Sequence, residues 1–313
     1  MRLTRAARWL PGGLLFLSAW LAGCSMLPPL QLPDAVTVRP QTELTQTPFF
    51  PQRRYQCGPA ALATALVASG VDITPDILTP EVYLPGRQGS LQLELLAATR
   101  RHGRIAYVLT PELPAVLAEV AAGHPVVVLQ NLAFNWYPLW HYAVVIGFDL
   151  QARELILRSG THDRITIPFD TFRHTWQRSG NWALLVLAPD QLPATADESR
   201  YVKAVAGLER AASLAAARTG YQTAAMHWPD SLAAQIGLAN ISYLQGDLAA
   251  AEYQYRALVA RYPQQASLYN NLAQVLFERG RRAEALEMIR RAIEIGGPLI
   301  DSYRQTLQQF EAQ

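Results

Sequence analysis

Residues recur at a spacing of 34 in the last third of this chain, and that spacing restricts its fold more than any other feature of the sequence. Leu244-Gln-Gly246-Asp247 returns as Glu278-Arg-Gly280-Arg281, Leu238-Ala239 as Leu272-Ala273, and Ala251 as Ala285. Stepping back the same distance from Pro263 finds Pro229, preceded by Trp228 where the later copy has Tyr262. A period of this length marks a supersecondary unit that cannot bury its apolar face alone, so its copies must stack. The composition turns to Ala, Leu, Gln, Arg and Tyr only beyond Pro193-Ala-Thr-Ala-Asp-Glu-Ser199, so everything before that boundary needs a different fold.

The spacing and its small residues resemble the tetratricopeptide repeat, a helix-turn-helix in which small side chains let paired helices approach and a proline closes the second helix. The resemblance implies an all-α solenoid over 200–313, with copies at about 232–265 and 266–299 and a capping helix from Leu299 onward. A degenerate copy covers about 198–231: Ala217, Tyr221 and Ala224 match the second helix, but the turn lacks its glycine. The third copy has Gly297 in place of the closing proline. Such repeats imply a protein partner.

At the other end, Arg2, Arg5 and Arg8 precede an apolar stretch through Leu14-Leu-Phe-Leu-Ser-Ala-Trp20 and then Leu21-Ala22-Gly23-Cys24. The apolar part is too short for a stable membrane span. Small residues before a cysteine resemble the bacterial lipobox, which implies a signal peptide over 1–23 and acylation of Cys24, with more than one acyl chain giving durable anchoring. Ser25, where sorting rules of enteric bacteria place an aspartate for retention, points to the outer membrane and a periplasm-facing protein. Removing residues 1–23 takes away three arginines and no acid, so the formal charge falls from +2 to −1. That argues against nucleic acid, which needs a concentrated basic surface. Five prolines between Ser25 and Pro48 mark a semi-rigid tether over 24–48.

Residues 49–190 mix two patterns. Pro59 to Ser69, Leu91 to His102 and Pro111 to Ala122 have helical character, two of them stopping at Gly70 and Gly123. Short runs follow at Ile105 to Leu109, Val126 to Leu129, Tyr142 to Phe148, Glu154 to Leu157, Ile165 to Ile167 and Trp182 to Leu187. Their Val and Ile content and Gly, Asp or Pro boundaries mark strands. Helices first and strands later predict an α+β domain with helices on an antiparallel sheet, followed by a linker at 191–199.

Acylation of Cys24 leaves Cys57 as the only free thiol, which removes any intramolecular disulfide and any multi-cysteine metal site. No cofactor is expected. Cys57-Gly58-Pro59 opens an Ala-rich helix, where proline is tolerated because the first N–H groups have no partner. Those N–H groups should stabilise a thiolate and lower the thiol pKa. A base must come from six histidines. His102, His124, His162, His174 and His227 fall at a helix end, a strand start, a turn, a short amphipathic segment and the repeats, where structural or exposed roles suffice. His141 follows the aromatic loop Phe134-Asn-Trp-Tyr-Pro-Leu-Trp140 and opens a strand, which would hold an imidazole rigidly beside a surface suited to peptide.

Gln52, Cys57-Gly58-Pro59-Ala60-Ala61-Leu62 and His141-Tyr142-Ala143-Val144-Val145-Ile146-Gly147 together resemble the papain-fold cysteine peptidases of the bacteriocin-processing, double-glycine-leader type and their stand-alone relatives. The resemblance implies Cys57 as nucleophile, His141 as general base and then acid, and Gln52 as oxyanion donor beside the Cys57 N–H, with Gln56 as an alternative to Gln52. Relatives carry an aspartate after the next strand, whereas this chain has Ser159 in Leu155-Ile-Leu-Arg-Ser159-Gly160. Ser159 can orient the imidazole without stabilising its cation, and Asp163 or Asp149 stand as substitutes. The expected function is thus a lipid-anchored cysteine peptidase acting on a periplasmic peptide or protein. The alternatives are a catalytically silent scaffold and an amidase or acyltransferase using the same pair. No transport domain is present, so bacteriocin maturation itself is not implied.

Overall fold

The computed structural model describes residues 39–312. The expected signal peptide, Cys24 and most of the proposed tether lie outside these residues. The sheet-forming region runs, in chain order, through β1 (Gln41–Glu43), α1 (Cys57–Ala68), α2 (Pro75–Val82), α3 (Gln92–Arg101), β2 (Ile105–Val108) and α4 (Leu113–Ala121). It continues with β3 (Val126–Asn131), β4 (Trp140–Asp149), β5 (Glu154–Ser159), β6 (His162–Pro168), α5 (Phe169–Gln177) and β7 (Ala183–Leu187). All six expected strands form, in the antiparallel order β2-β7-β3-β4-β5-β6. The α+β expectation is met.

β4 is the central strand because both its faces are apolar: every residue from Tyr142 through Phe148 is buried. Tyr142, Val144 and Ile146 join Leu62, Leu66 and Leu95 in the core on the α1 side. The alternate residues Ala143 and Val145 therefore face the opposite side, where α4 and α5 pack against β3 and β4. α1 is buried from Gly58 to Leu66, as an all-round apolar helix must be. It crosses the sheet with Cys57 at its first turn.

The N-terminal segment departs from the expected tether. Gln41, Thr42 and Glu43 pair with Asp149, Phe148 and Gly147, taking the flank of β4 that β3 leaves beyond Val145. Gly147 is what permits this, since a Cβ there would lie 2.6 Å from the Thr42 carbonyl oxygen. The tether reading thus fails for residues 41–43, where backbone pairing outweighs the local proline content.

The helical region runs through α6 (Glu198–Arg210), α7 (Leu214–His227), α8 (Leu232–Leu244), α9 (Leu248–Arg261), α10 (Ala266–Glu278), α11 (Arg282–Ile295) and α12 (Ile300–Ala312). These are the three expected hairpins and the capping helix. The 34-residue positions Ala217, Ala251 and Ala285 are all fully buried, which is where the paired helices need small side chains. Ser231 and Asp247 cap α8 and α9 by accepting from Ala234 N and Ala250 N.

The expected linker at 191–199 is not a free hinge. The buried carboxylate of Glu119 in α4 accepts from Ala194 N at 3.0 Å, Thr195 N at 2.9 Å and Thr195 Oγ1 at 2.7 Å, and contacts His124 Nδ1 at 3.0 Å. Asp197 N donates to the Tyr107 hydroxyl, and Ser213 Oγ to the Arg100 carbonyl. α6 covers the sheet edge at β2. A buried carboxylate needs donors, and the linker backbone supplies them. Residues 39–312 accordingly lie in one compact unit.

Candidate active site

Cys57 stands at the first turn of α1, after a tight bend in which Tyr55 adopts a left-handed φ of 65°. Gln56 N donates to the Arg53 carbonyl at 3.0 Å, and the Gln56 carbonyl accepts the first helical bond from Ala60 N. The N–H groups of Cys57 and Gly58 are left pointing at the thiol, and the Tyr142 N–H of β4 also bonds to it. The nucleophile candidate thus meets the strand at the residue directly after His141. Three N–H groups favour the thiolate, as expected from the helix start. Burial is nevertheless the larger effect and pushes the Cys57 pKa up. The net direction is therefore opposite to the expected lowering, because the thiol is partly buried against the core rather than set at an open surface.

His141, half-buried in β4, places Nε2 2.8 Å from Ser159 Oγ at the end of β5. Burial pushes its pKa down. A raised thiol and a lowered imidazole describe a resting pair in which both groups are neutral. With Nε2 held by Ser159, Nδ1 is the ring atom left to exchange a proton.

Gln52 is fixed by two bonds: its backbone N–H donates to the Gly160 carbonyl at 3.0 Å, and its Nε2 to the Tyr142 carbonyl at 3.2 Å. An amide nitrogen carries two N–H groups, so one remains beyond the Tyr142 bond. Gln56 contributes the backbone before the helix, whereas Gln52 reaches the strand that touches the thiol. Geometry favours Gln52 of the two.

The two aspartates do not meet the imidazole. Asp149 lies at the opposite end of β4, about 26 Å along the strand from His141, where its Oδ1 accepts from Gln151 N and Ala152 N in the β4–β5 turn. Asp163 is exposed on β6, and its backbone carbonyl accepts from Arg158. Ser159 is the group at the third position. The other histidines are elsewhere: His102 bonds Glu81, His124 bonds Glu119, and His227 packs edge-on against Trp228. His162 is exposed on β6, and His174 lies in α5.

Tyr142 belongs to the run that carries the family resemblance, but the sequence assigns it no role in the site. Its N–H meets Cys57, its carbonyl holds Gln52, its hydroxyl donates to the Ser90 carbonyl at 3.3 Å, and its ring packs edge-on against Trp182. The only sequence signal for this was its place next to His141.

Residues 35–184 match the model of the Peptidase_C39 like family, a stretch that holds Gln52, Cys57, His141, Tyr142 and Ser159. The first domain is similar to the C39-like peptidases. Residues 265–296 match the tetratricopeptide repeat, so the chain joins a C39-like domain to a repeat domain. No curated protein matches the chain. Among solved structures, a C39-like peptidase of Bacillus anthracis shares 18% identity at a TM-score of 0.39, covering 47% of this chain and 97% of that one. The peptidase domain of Streptococcus ComA, a bifunctional ABC transporter of a quorum-sensing pathway, shares 19% at 0.38, covering 45% and 98%. Likenesses this distant carry no argument about chemistry. The family match to the C39-like domain supports a peptidase-type function, and the repeats support a protein-binding one.

Proposed function

We propose that this chain is a lipid-anchored cysteine peptidase of the bacterial envelope, facing the periplasm, whose repeats bind a protein partner. The observation that carries the catalytic part is the His141–Ser159 bond on the strand that receives the Cys57 thiol. Ser159 accepting from Nε2–H leaves Nδ1 unprotonated, the tautomer a base requires. His141 then takes the thiol proton as sulfur attacks the substrate carbonyl, so the thiolate forms during attack rather than before it. The oxyanion is held by the Cys57 N–H and the second N–H of Gln52, an arrangement that supplies the largest share of many acyl-transfer accelerations. His141 returns the proton to the leaving amine, and water hydrolyses the thioester.

A peptidyl vinyl sulfone, which labels a thiol only when the assisting base is in place, provides the test. Labelling should occur at Cys57 in the wild type and fall at least a hundredfold in His141→Ala, on the order of a general base's contribution. Comparison of envelope peptide termini between wild type and Cys57→Ala should then reveal the substrate. Equal labelling in both proteins, with no difference in termini, would reject the peptidase.

The neutral Ser159 and the raised thiol favour one second reading, a catalytically silent C39-like domain whose repeats carry the function. Under it, Cys57→Ser leaves the cellular phenotype intact, whereas disrupting the repeats abolishes it.

A further inference from the structure

The loop between β3 and β4 is an apolar finger that the fold holds out into solvent. Residues 132–140 read Leu-Ala-Phe-Asn-Trp-Tyr-Pro-Leu-Trp, without a charged side chain. Phe134, Trp136, Tyr137 and Leu139 are exposed by 62, 81, 71 and 59%. Loops with this much free apolar surface usually collapse, but this one is pinned. The buried Asn131 accepts from Ala133 N and Leu139 N through Oδ1 and donates to the Phe134 carbonyl, while Arg178 Nη1 donates to the Ala133 carbonyl at 2.7 Å. Leu132 N closes the base on the Leu139 carbonyl at 2.9 Å, and the Phe134 and Trp136 rings stack with centroids 5.6 Å apart.

We propose that this finger seats on a lipid bilayer, setting the mouth of the Cys57–His141 site at the membrane surface. Shape decides between occupants. A peptide is gripped between walls, whereas rings this exposed have no opposing wall and offer only a convex tip. A bilayer interface accepts such a tip, and Trp and Tyr are the side chains that favour its mixed apolar and polar depth. The chain outside the described residues permits the same orientation. The N-terminal segment joins the domain where Leu150 N donates to the Pro40 carbonyl, at the opposite end of β4 from the finger. That strand is about 30 Å long, and a segment from residue 24 to residue 38 can span up to about 50 Å. A lipid on Cys24 therefore leaves the finger able to reach the bilayer that holds the lipid.

The test places one environment-sensitive nitrobenzoxadiazole label at Asn135→Cys, in the finger, or at Gln151→Cys, in the far turn, both exposed positions. The full chain carries Cys24→Ser and Cys57→Ser, so the label has a single site and no acyl chain delivers the protein. With vesicles of phosphatidylethanolamine and phosphatidylglycerol containing doxyl lipid, the label at 135 should shift to the blue and be quenched several-fold, and the label at 151 should not. Trp136→Ser with Tyr137→Ser should abolish the quenching. No response at 135, an equal response at both positions, or a blue shift without vesicles, which would signal a second copy of the chain, overturns the proposal. A finger variant that raises KM for a cleaved peptide in the absence of vesicles, with the label at 135 unquenched by lipid, assigns the loop to substrate and overturns it too. None of the outcomes read from the label depends on whether Cys57 is catalytic.

Discussion

Ser159 is the residue on which the chemistry of this site turns, because it occupies the place where a carboxylate would stabilise the imidazolium. A hydroxyl at 2.8 Å orients His141 and fixes its tautomer but adds no charge. Ser159→Ala should therefore lower kcat by roughly tenfold, well short of the ~10⁴-fold seen when a triad aspartate is neutralised. Ser159→Asp should raise kcat, and it should move the acid limb of kcat/KM to higher pH, since a nearby negative charge favours the protonated ring. The sign for the wild type follows from burial. The His141 pKa is lowered from 6.5, so the base is available down to pH values below 6.5 and activity is lost only beneath that. Burial raises the Cys57 pKa from 9.0, so alkylation by iodoacetamide should climb only above that pH. Alkylation that is already complete at neutral pH would instead mark a resting thiolate and contradict the neutral pair.

Among the elements, the first repeat hairpin shows how a degenerate copy survives. Gly246 and Gly280 turn their hairpins at φ of 79° and 75°, and 34 residues before Gly246 stands Ala212 at φ 57°. A Cβ in that region costs about 1–2 kcal/mol, partly offset by the ~0.5–1 kcal/mol of backbone freedom a glycine would lose. Ala212→Gly should thus stabilise the chain by up to about 1 kcal/mol, read as a rise in the denaturation midpoint without a change in m-value. An unchanged or lower midpoint would mean that the contacts of α6 with the sheet already hold the turn. The boundaries of the elements were largely legible in the sequence: the six apolar runs became strands and the 34-residue period became the hairpins. β1, α2 and the helix α5 were not read from it. Gln41–Glu43 has no apolar pattern and is a strand only because Gly147 leaves room for it against β4. The Pro75–Val82 helix carries Pro80 within it, a residue that argues locally against a helix.

In the whole molecule, the sheet domain and the repeats are joined by polar bonds, of which those from the linker end on the buried Glu119 carboxylate, with the Asp197–Tyr107 and Ser213–Arg100 bonds beside them. Glu119→Ala would leave the Ala194 and Thr195 donors and the facing His124 without their acceptor. Loss of a buried charged acceptor costs about 3 kcal/mol or more. The expected result is a lower melting temperature, together with new proteolytic cleavage within residues 191–199. A variant with unchanged melting and no new cleavage would show that apolar packing of α6 on β2 is the true junction. Fixing the repeats against the sheet edge also gives the proposed partner a set orientation relative to the site, rather than a range allowed by a flexible linker.

The sequence alone determined the division into an α+β domain and a repeat domain, and it singled out Cys57, His141, Gln52 and Ser159. Those features rest on local signals: a period, a helix start, a strand beside a loop. Tertiary structure decided the ionisation of the thiol, the choice of Ser159 over Asp149 and Asp163, the part played by Tyr142, and the weld at Glu119. Each of these depends on desolvation or on bonds between residues far apart in the chain, and neither leaves a trace in local composition. The 34-residue spacing behaves differently from them, because a repeat unit carries its packing partner in the next copy and so writes its tertiary contacts into the sequence as a period.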